Sequence, residues 1–263
     1  MERLSIHESK YYNLKYFLLT TFLIVLFLFS GWFLNLDFTK FITRLGNIET
    51  VISNFMSFDV NMLPEALEQL LVSICLGVAG LIISTILSFF IAALSANNTT
   101  FNPLLSSFLK GAIAVIRAVP SLVWILMVVA SIGFGNNGAL LGIVIMTTGF
   151  LSKAFIEAFE SNGTARVEAL RSTGARWINI VIQGVANDAL PSLLTWITIS
   201  LETCIATSIS LGVLGISGIG ALLNKQIMKF NYSGISTIIV IIFVTMIVVE
   251  MVTLKIKEGL HAK

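Results

Sequence analysis

LEQLLVSICLGVAGLIISTILSFFIAA, residues Leu67–Ala93, carries one charge, Glu68 near its start, and is otherwise apolar, small or uncharged. A helix of about 20 such residues crosses the hydrocarbon core of a bilayer with every backbone polar group satisfied inside the segment. Working outward, comparable apolar stretches occur at Tyr16–Leu34, Leu104–Ile132, Ala139–Phe159, Ala189–Val213 and Ile235–Leu254. The chain of 263 residues is 56% hydrophobic and 11% charged, with a mean hydropathy of +0.94. A soluble domain needs roughly 25% charged residues to face water. The expected fold class is therefore all-α: a polytopic integral membrane protein of about six transmembrane helices in a single domain, 1–263. Tyr16–Leu34 is too long for the apolar core of a signal peptide and reads as a retained first span. The stretch from Phe41 to Pro64 has room for an interfacial helix.

The remaining composition narrows the function. A net charge of +2 without any basic run argues against nucleic acid. Cys75 and Cys204 lie inside apolar segments, and His7 and His261 lie in the terminal tails, so no metal-ligand spacing arises. No phosphate-cradling GxxxxGK[ST] loop occurs, so ATP hydrolysis is not expected of this chain, and no cofactor is expected in it. Nor does a cluster of His, Asp, Ser or Cys at one membrane face suggest a membrane enzyme. Lys and Arg are biased. Arg3, Lys10, Lys15, Lys110, Lys153, Arg166, Arg171, Arg176, Lys255, Lys257 and Lys263 fall on one side of an even-helix arrangement. Only Lys40, Arg44, Lys225 and Lys229 fall on the other. That bias places both termini in the cytoplasm.

The most charged interval runs from Lys153 to Asp188 and takes in the connection 161–188 between the fourth and fifth spans. Its core, Thr164–Asp188, reads TARVEALRSTGARWINIVIQGVAND. Thr164 is placed to cap a short helix, and Gly174 stands where such a helix ends in a left-handed residue. Ala165–Thr173 would form a rod of roughly 13 Å, with Glu168 and Arg171 on one face. Glu168-Ala169, Gly174 six residues on, and a later Leu190-Pro191 resemble the EAA loop of binding-protein-dependent permeases in ATP-binding cassette importers. Arg117-Ala118-Val119-Pro120, Gly133-Phe134-Gly135, Gly149-Phe150-Leu151-Ser152-Lys153 and LGVLGISGIG (Leu211–Gly220) resemble the phosphonate permease branch.

That resemblance implies an importer permease fold whose coupling helix docks on cassette ATPase subunits through Glu168, Ala169, Arg171, Gly174 and Ala175. It also implies an extracytoplasmic solute-binding protein, a second permease copy as a homodimer, and ATP and Mg bound by the partner ATPase. The location implied is the bacterial cytoplasmic membrane. The implied solute is a small oxyanion, phosphonate first and phosphate or phosphite next. Two departures from the branch are visible. Ala186-Asn187 stands where a Leu-Pro is common, leaving Pro191 as the helix-breaking proline. Cys204 and Ala206 stand where an Asn and an Arg usually follow the fifth-span glutamate.

Arg117 lies within the third apolar segment, three residues before Pro120. It is read either as a positive group on the route of an anionic solute or as a side chain that snorkels to the interface. Glu202, roughly 16 Å beyond Pro191 along the fifth span, is read as a pathway residue that could pair with Arg117, or as a packing carboxyl. Gly212, Gly215, Gly218 and Gly220 read as hinge or packing glycines. Trp32, Trp177 and Trp196 read as interface or packing aromatics, and Lys153 with Glu157 as a surface pair. An ion-coupled secondary transporter or channel is the alternative, with Glu202 as its main support.

Overall fold

A computed structural model describes residues 5–261 other than Leu36, Asn47 and Leu214; the side chains of residues 5–13, Val51, Thr164, Val213, Leu260 and His261 also lie outside the described residues. The described residues are almost entirely helical, with no strand among them. The chain forms two compact units, Met1–Asn54 and Phe55–Lys263.

In the first unit α1 (Ser5–Phe33) contains the apolar span Leu14–Phe33, none of which is buried. Such a helix, apolar all round, has lipid as its solvent. Two short helices follow where one was expected, α2 (Phe38–Leu45) and α3 (Ile48–Phe55). Asp37 caps α2 by accepting from the Lys40 backbone N–H at 3.1 Å. That N–H and the Lys40 ammonium hold the Asp37 carboxyl below its usual pKa.

The second unit is built on α4 (Leu63–Ser95) and α7 (Asn136–Ser161). A side chain at Gly80 would bring its Cβ within 2.6 Å of the Ile143 side chain, so only glycine allows this approach. Ser84 and Ser88 then donate to the carbonyls of Val144 (3.2 Å) and Thr148 (3.3 Å) on α7. Phe155, Phe159, Leu151 and Ile143 fill the buried core beside this seam.

Leu104–Ile132 is not the straight span expected from hydropathy. It divides into α5 (Pro103–Ala118) and α6 (Ser121–Ile132), bent by 93°. Pro120 lacks an N–H and forces Val119 out of the helical region, to φ −84° and ψ 129°. The short helix α8 (Thr164–Ser172) follows α7. The fifth span begins earlier than Ala189. A single turn, α9 (Trp177–Asn179), runs into a π-helical stretch, Ile180–Ala186, and then α10 (Asn187–Val213). Pro191 does not break this span but sits inside α10. The helix before it is widened, with the Asn187 N–H donating to the Ile182 carbonyl five residues back. The short helix α11 (Ile219–Met228) and the long α12 (Tyr232–His261) complete the unit. In all, five described helices are long and apolar enough to cross a membrane, or six if α5 and α6 count as one span.

The α4–α7 seam sets a stability expectation. Gly80→Val should destabilise the protein by about 1–3 kcal/mol through overpacking. Gly111→Ala, with nothing within 4 Å of its added carbon, should leave stability unchanged. Thermal unfolding of both variants in mild detergent checks this.

Candidate functional site: a tethered surface helix and two grooves along α7

Helix α8 is about two and a half turns of exposed alanine and charge clamped from behind. Val167 is 2% exposed, and it and Leu170 pack towards Gly184 of the π-helical stretch. Glu168 and Ala169 face outward. At the C-terminal end Gly174 adopts φ +75°. Its N–H donates to the Arg171 carbonyl (3.0 Å) and the Ala175 N–H to the Leu170 carbonyl (3.1 Å), the paired bonds of a Schellman cap. Thr164 is not the N-cap: it is the first helical residue, and Gly163, at φ +77°, holds the cap position. A Cβ on Gly163 would come within 2.4 Å of the Gly184 carbonyl oxygen, so the helix begins where only glycine fits.

Two further tethers fix α8. Arg171 donates to the Asn98 carbonyl at 2.9 Å, while Trp177 Nε1 donates to the Thr99 carbonyl at 2.8 Å and its ring meets Phe101 edge-on. Asn98 in turn donates to the carbonyls of Phe159 and Asn162. Arg166 pairs with Asp188. Sequence reasoning missed the Asn97–Thr99 turn that receives these bonds. Its acceptors are backbone carbonyls, which carry no residue signature. Ala175 is half-buried against the core, and Trp196 also packs there.

Two grooves lie along α7. The first, about 520 Å³, is lined by Ser121, Leu122 and Ile125 of α6, Met146 of α7, and Glu202, Thr203, Ala206, Thr207, Ser210 and Leu211 of α10. Glu202 is half-buried there; among the described residues it supplies the groove's one carboxylate, and no basic residue lines it. Thr203, Thr207 and Ser210 each donate to the carbonyl four residues earlier, which leaves oxygen lone pairs turned to the groove. Ala206 lines this groove, whereas Cys204 is fully buried 3.3 Å from Thr147. The second groove, about 370 Å³, lies between α5 and α7 and contains Arg117, Lys153 and Glu157. Arg117 and Glu202 therefore do not pair: they line different grooves on either side of the bend preceding Pro120. Lys153 and Glu157 do form the expected pair, at 3.4 Å.

Of the four glycines from the end of α10 to the start of α11, Gly212 is hemmed in by backbone: a Cβ there would stand 2.6 Å from the Ala221 N and the Ser217 carbonyl oxygen and 2.7 Å from the Gly220 Cα. Gly215 and Gly218 have positive φ, and Gly218 is followed by Ile219, whose N–H donates to Ser73 Oγ at 3.1 Å.

The sequence pattern described as the binding-protein-dependent transport system inner membrane component matches residues 88–257. The chain belongs to this family. It is accordingly a membrane-spanning permease subunit of an ATP-binding cassette importer. Over 224 residues the chain is 26% identical to the phosphite transport system permease protein PtxC of Stutzerimonas stutzeri, covering 85% of this chain and 82% of that protein. It is also 29% identical over 197 residues to the phosphate-import permease protein PhnE of Mycolicibacterium smegmatis; this match takes in 75% of the chain but only 36% of the larger relative. The fold resembles that of the MetNI methionine ABC transporter in an inward-facing conformation, with a TM-score of 0.68 at 17% identity over 77% of this chain and 99% of that one.

The cap geometry of α8 carries an expectation. Gly174→Val should cost the helix end about 1–2 kcal/mol, because a β-branched residue is forced into the left-handed region. Faster hydrogen exchange at Leu170–Ala175 and faster tryptic cleavage at Arg171 and Arg176 would register the loss.

Proposed function

We propose that α8 is the coupling helix of this importer and that the groove around Glu202 belongs to the solute route. The observation that carries the reading is the construction of α8. Glu168 and Ala169 are exposed, while Val167, Leu170, Arg171 and the Gly174 cap bind the helix rigidly to the α4–α5 turn and to the start of the fifth span. A push on this helix is thereby delivered to α4 and α10 together. ATP and Mg reside on two cassette ATPase subunits that bind here from the cytoplasm. Closure of those subunits tilts the spans between inward-open and outward-open arrangements. The chain pairs with a second copy as a homodimer, receives solute from an extracytoplasmic binding protein, and sits in the bacterial cytoplasmic membrane with both termini inside. The glycines at 212, 215, 218 and 220 give the connection from α10 to α11 its close packing and its bend.

For the solute we propose a small oxyanion: phosphonate first, phosphate or phosphite next. Support comes from the relatives, a phosphite transport permease and a phosphate-import permease. The family match over residues 88–257 counts against an ion-coupled carrier.

The tagged chain purified in mild detergent from its own host should retain a cassette ATPase. Glu168→Lys should cut that retention about tenfold or more, since a reversed charge at a docked surface costs several kcal/mol. Wild-type chain without any ATPase, under conditions that keep known complexes intact, would refute the coupling role.

A further inference from the structure

The groove between α5 and α7 is lined by Lys110, Arg117 and Lys153 against Glu157 and Glu160. Lys110 is engaged by Glu160 at 2.8 Å and Asn97 at 2.9 Å, and Lys153 by Glu157 at 3.4 Å. Arg117 takes part in no ion pair or hydrogen bond among the described residues. Two carboxylates thus answer two lysines, and the guanidinium is left as uncompensated positive charge. Its stem runs past Gly149, whose added Cβ would lie 3.6 Å from Arg117 Cγ, and its head is exposed. Ile113, Ala114 and Ile156 form an apolar wall beside it. Such a wall lowers the local dielectric and strengthens any charge-assisted contact made there.

Position adds to chemistry. Met146 in the Glu202 groove and Lys153 in this one are seven residues apart on α7, on the same face and roughly 10 Å along the axis. The basic groove therefore follows the Glu202 groove along one face of α7 in the direction of α8. The Glu202 groove has no cation with which to neutralise an anion. Here, two turns on, a cation stands free.

We propose that the groove between α5 and α7 binds a phosphate-type oxyanion, with the Arg117 guanidinium as the fork that takes two of its oxygens. Lys110 and Lys153 lend positive potential from the flanks, and Glu157 opposes binding. Two sources offer this chemistry, the free oxyanion solute and the headgroup of an anionic phospholipid. The first of these rests on the importer reading above.

The full chain in phosphatidylcholine nanodiscs would be titrated with radiolabelled inorganic phosphate. In parallel, chain extracted from phosphatidylcholine–phosphatidylglycerol bilayers would be examined by native mass spectrometry for retained phosphatidylglycerol. Arg117→Gln should weaken binding about tenfold, while Arg117→Lys keeps part of it. Glu157→Gln, which removes an opposing charge, should tighten binding about threefold, a gain that a folding defect would not produce. Loss confined to inorganic phosphate identifies the free oxyanion as the occupant; loss confined to phosphatidylglycerol identifies the headgroup. A wild-type chain that takes neither, or Arg117→Gln and Glu157→Gln variants that bind both as the wild type does, would overturn the proposal. No ATPase takes part in either measurement, so this result stands apart from ATPase retention at Glu168.

Discussion

Lipid gives two helices little reason to associate, because hydrocarbon solvates leucine as well as another leucine does. The second unit depends on how α4 overcomes this. Ser73, Gly77, Gly80, Ser84 and Ser88 fall at helical spacing along it, and each is used at a close approach. Ser73 accepts from the Ile219 N–H, and Gly77 lies against the Ile205 backbone with only 3.0 Å to spare for a Cβ. Gly80 admits Ile143, and Ser84 and Ser88 bond to carbonyls of α7. One helix made narrow on this stripe thus gathers α7, α10 and α11 around it, by dispersion at short range and hydrogen bonds that water does not contest.

Where side-chain composition decides an outcome, the sequence was readable. Hydropathy located every long helix, because the bilayer imposes length and apolarity together. Gly174 announced the end of α8, because few other residues enter the left-handed region cheaply. What composition does not encode is direction. Leu104–Ile132 is apolar apart from Lys110, Arg117 and a few serines, and Pro120 signals a disturbance without its size, so a 93° bend passed for a span. Likewise Trp177–Asn187 falls in the connection expected between the fourth and fifth spans, yet it is helical, with its turns packed on α8 and a donor bonded to the carbonyl five residues back.

The candidate site was legible to a similar degree. Glu168, Gly174, Arg117 and Glu202 all stood out by charge or by motif. Their partners did not. Arg171 meets a carbonyl at Asn98, a residue 73 positions away, and nothing in an asparagine's identity advertises its backbone oxygen. Pairing Arg117 with Glu202 follows from the rule that buried charges seek each other, but it fails here because neither is fully buried. Each reaches its own groove, and the bend between α5 and α6 keeps those grooves apart.

The π-helical stretch Ile180–Ala186 has a mechanical meaning. A π turn stores one residue more than an α turn, so the segment is a wound-in slack of about 1.5 Å and 100° of rotation per residue released. It sits between the clamped end of α8 and the hydroxyl-bearing length of α10. Releasing that residue would turn the Glu202 face of α10 about the helix axis in addition to any displacement handed on from α8. A single polypeptide rod can then pass on a turn as well as a push.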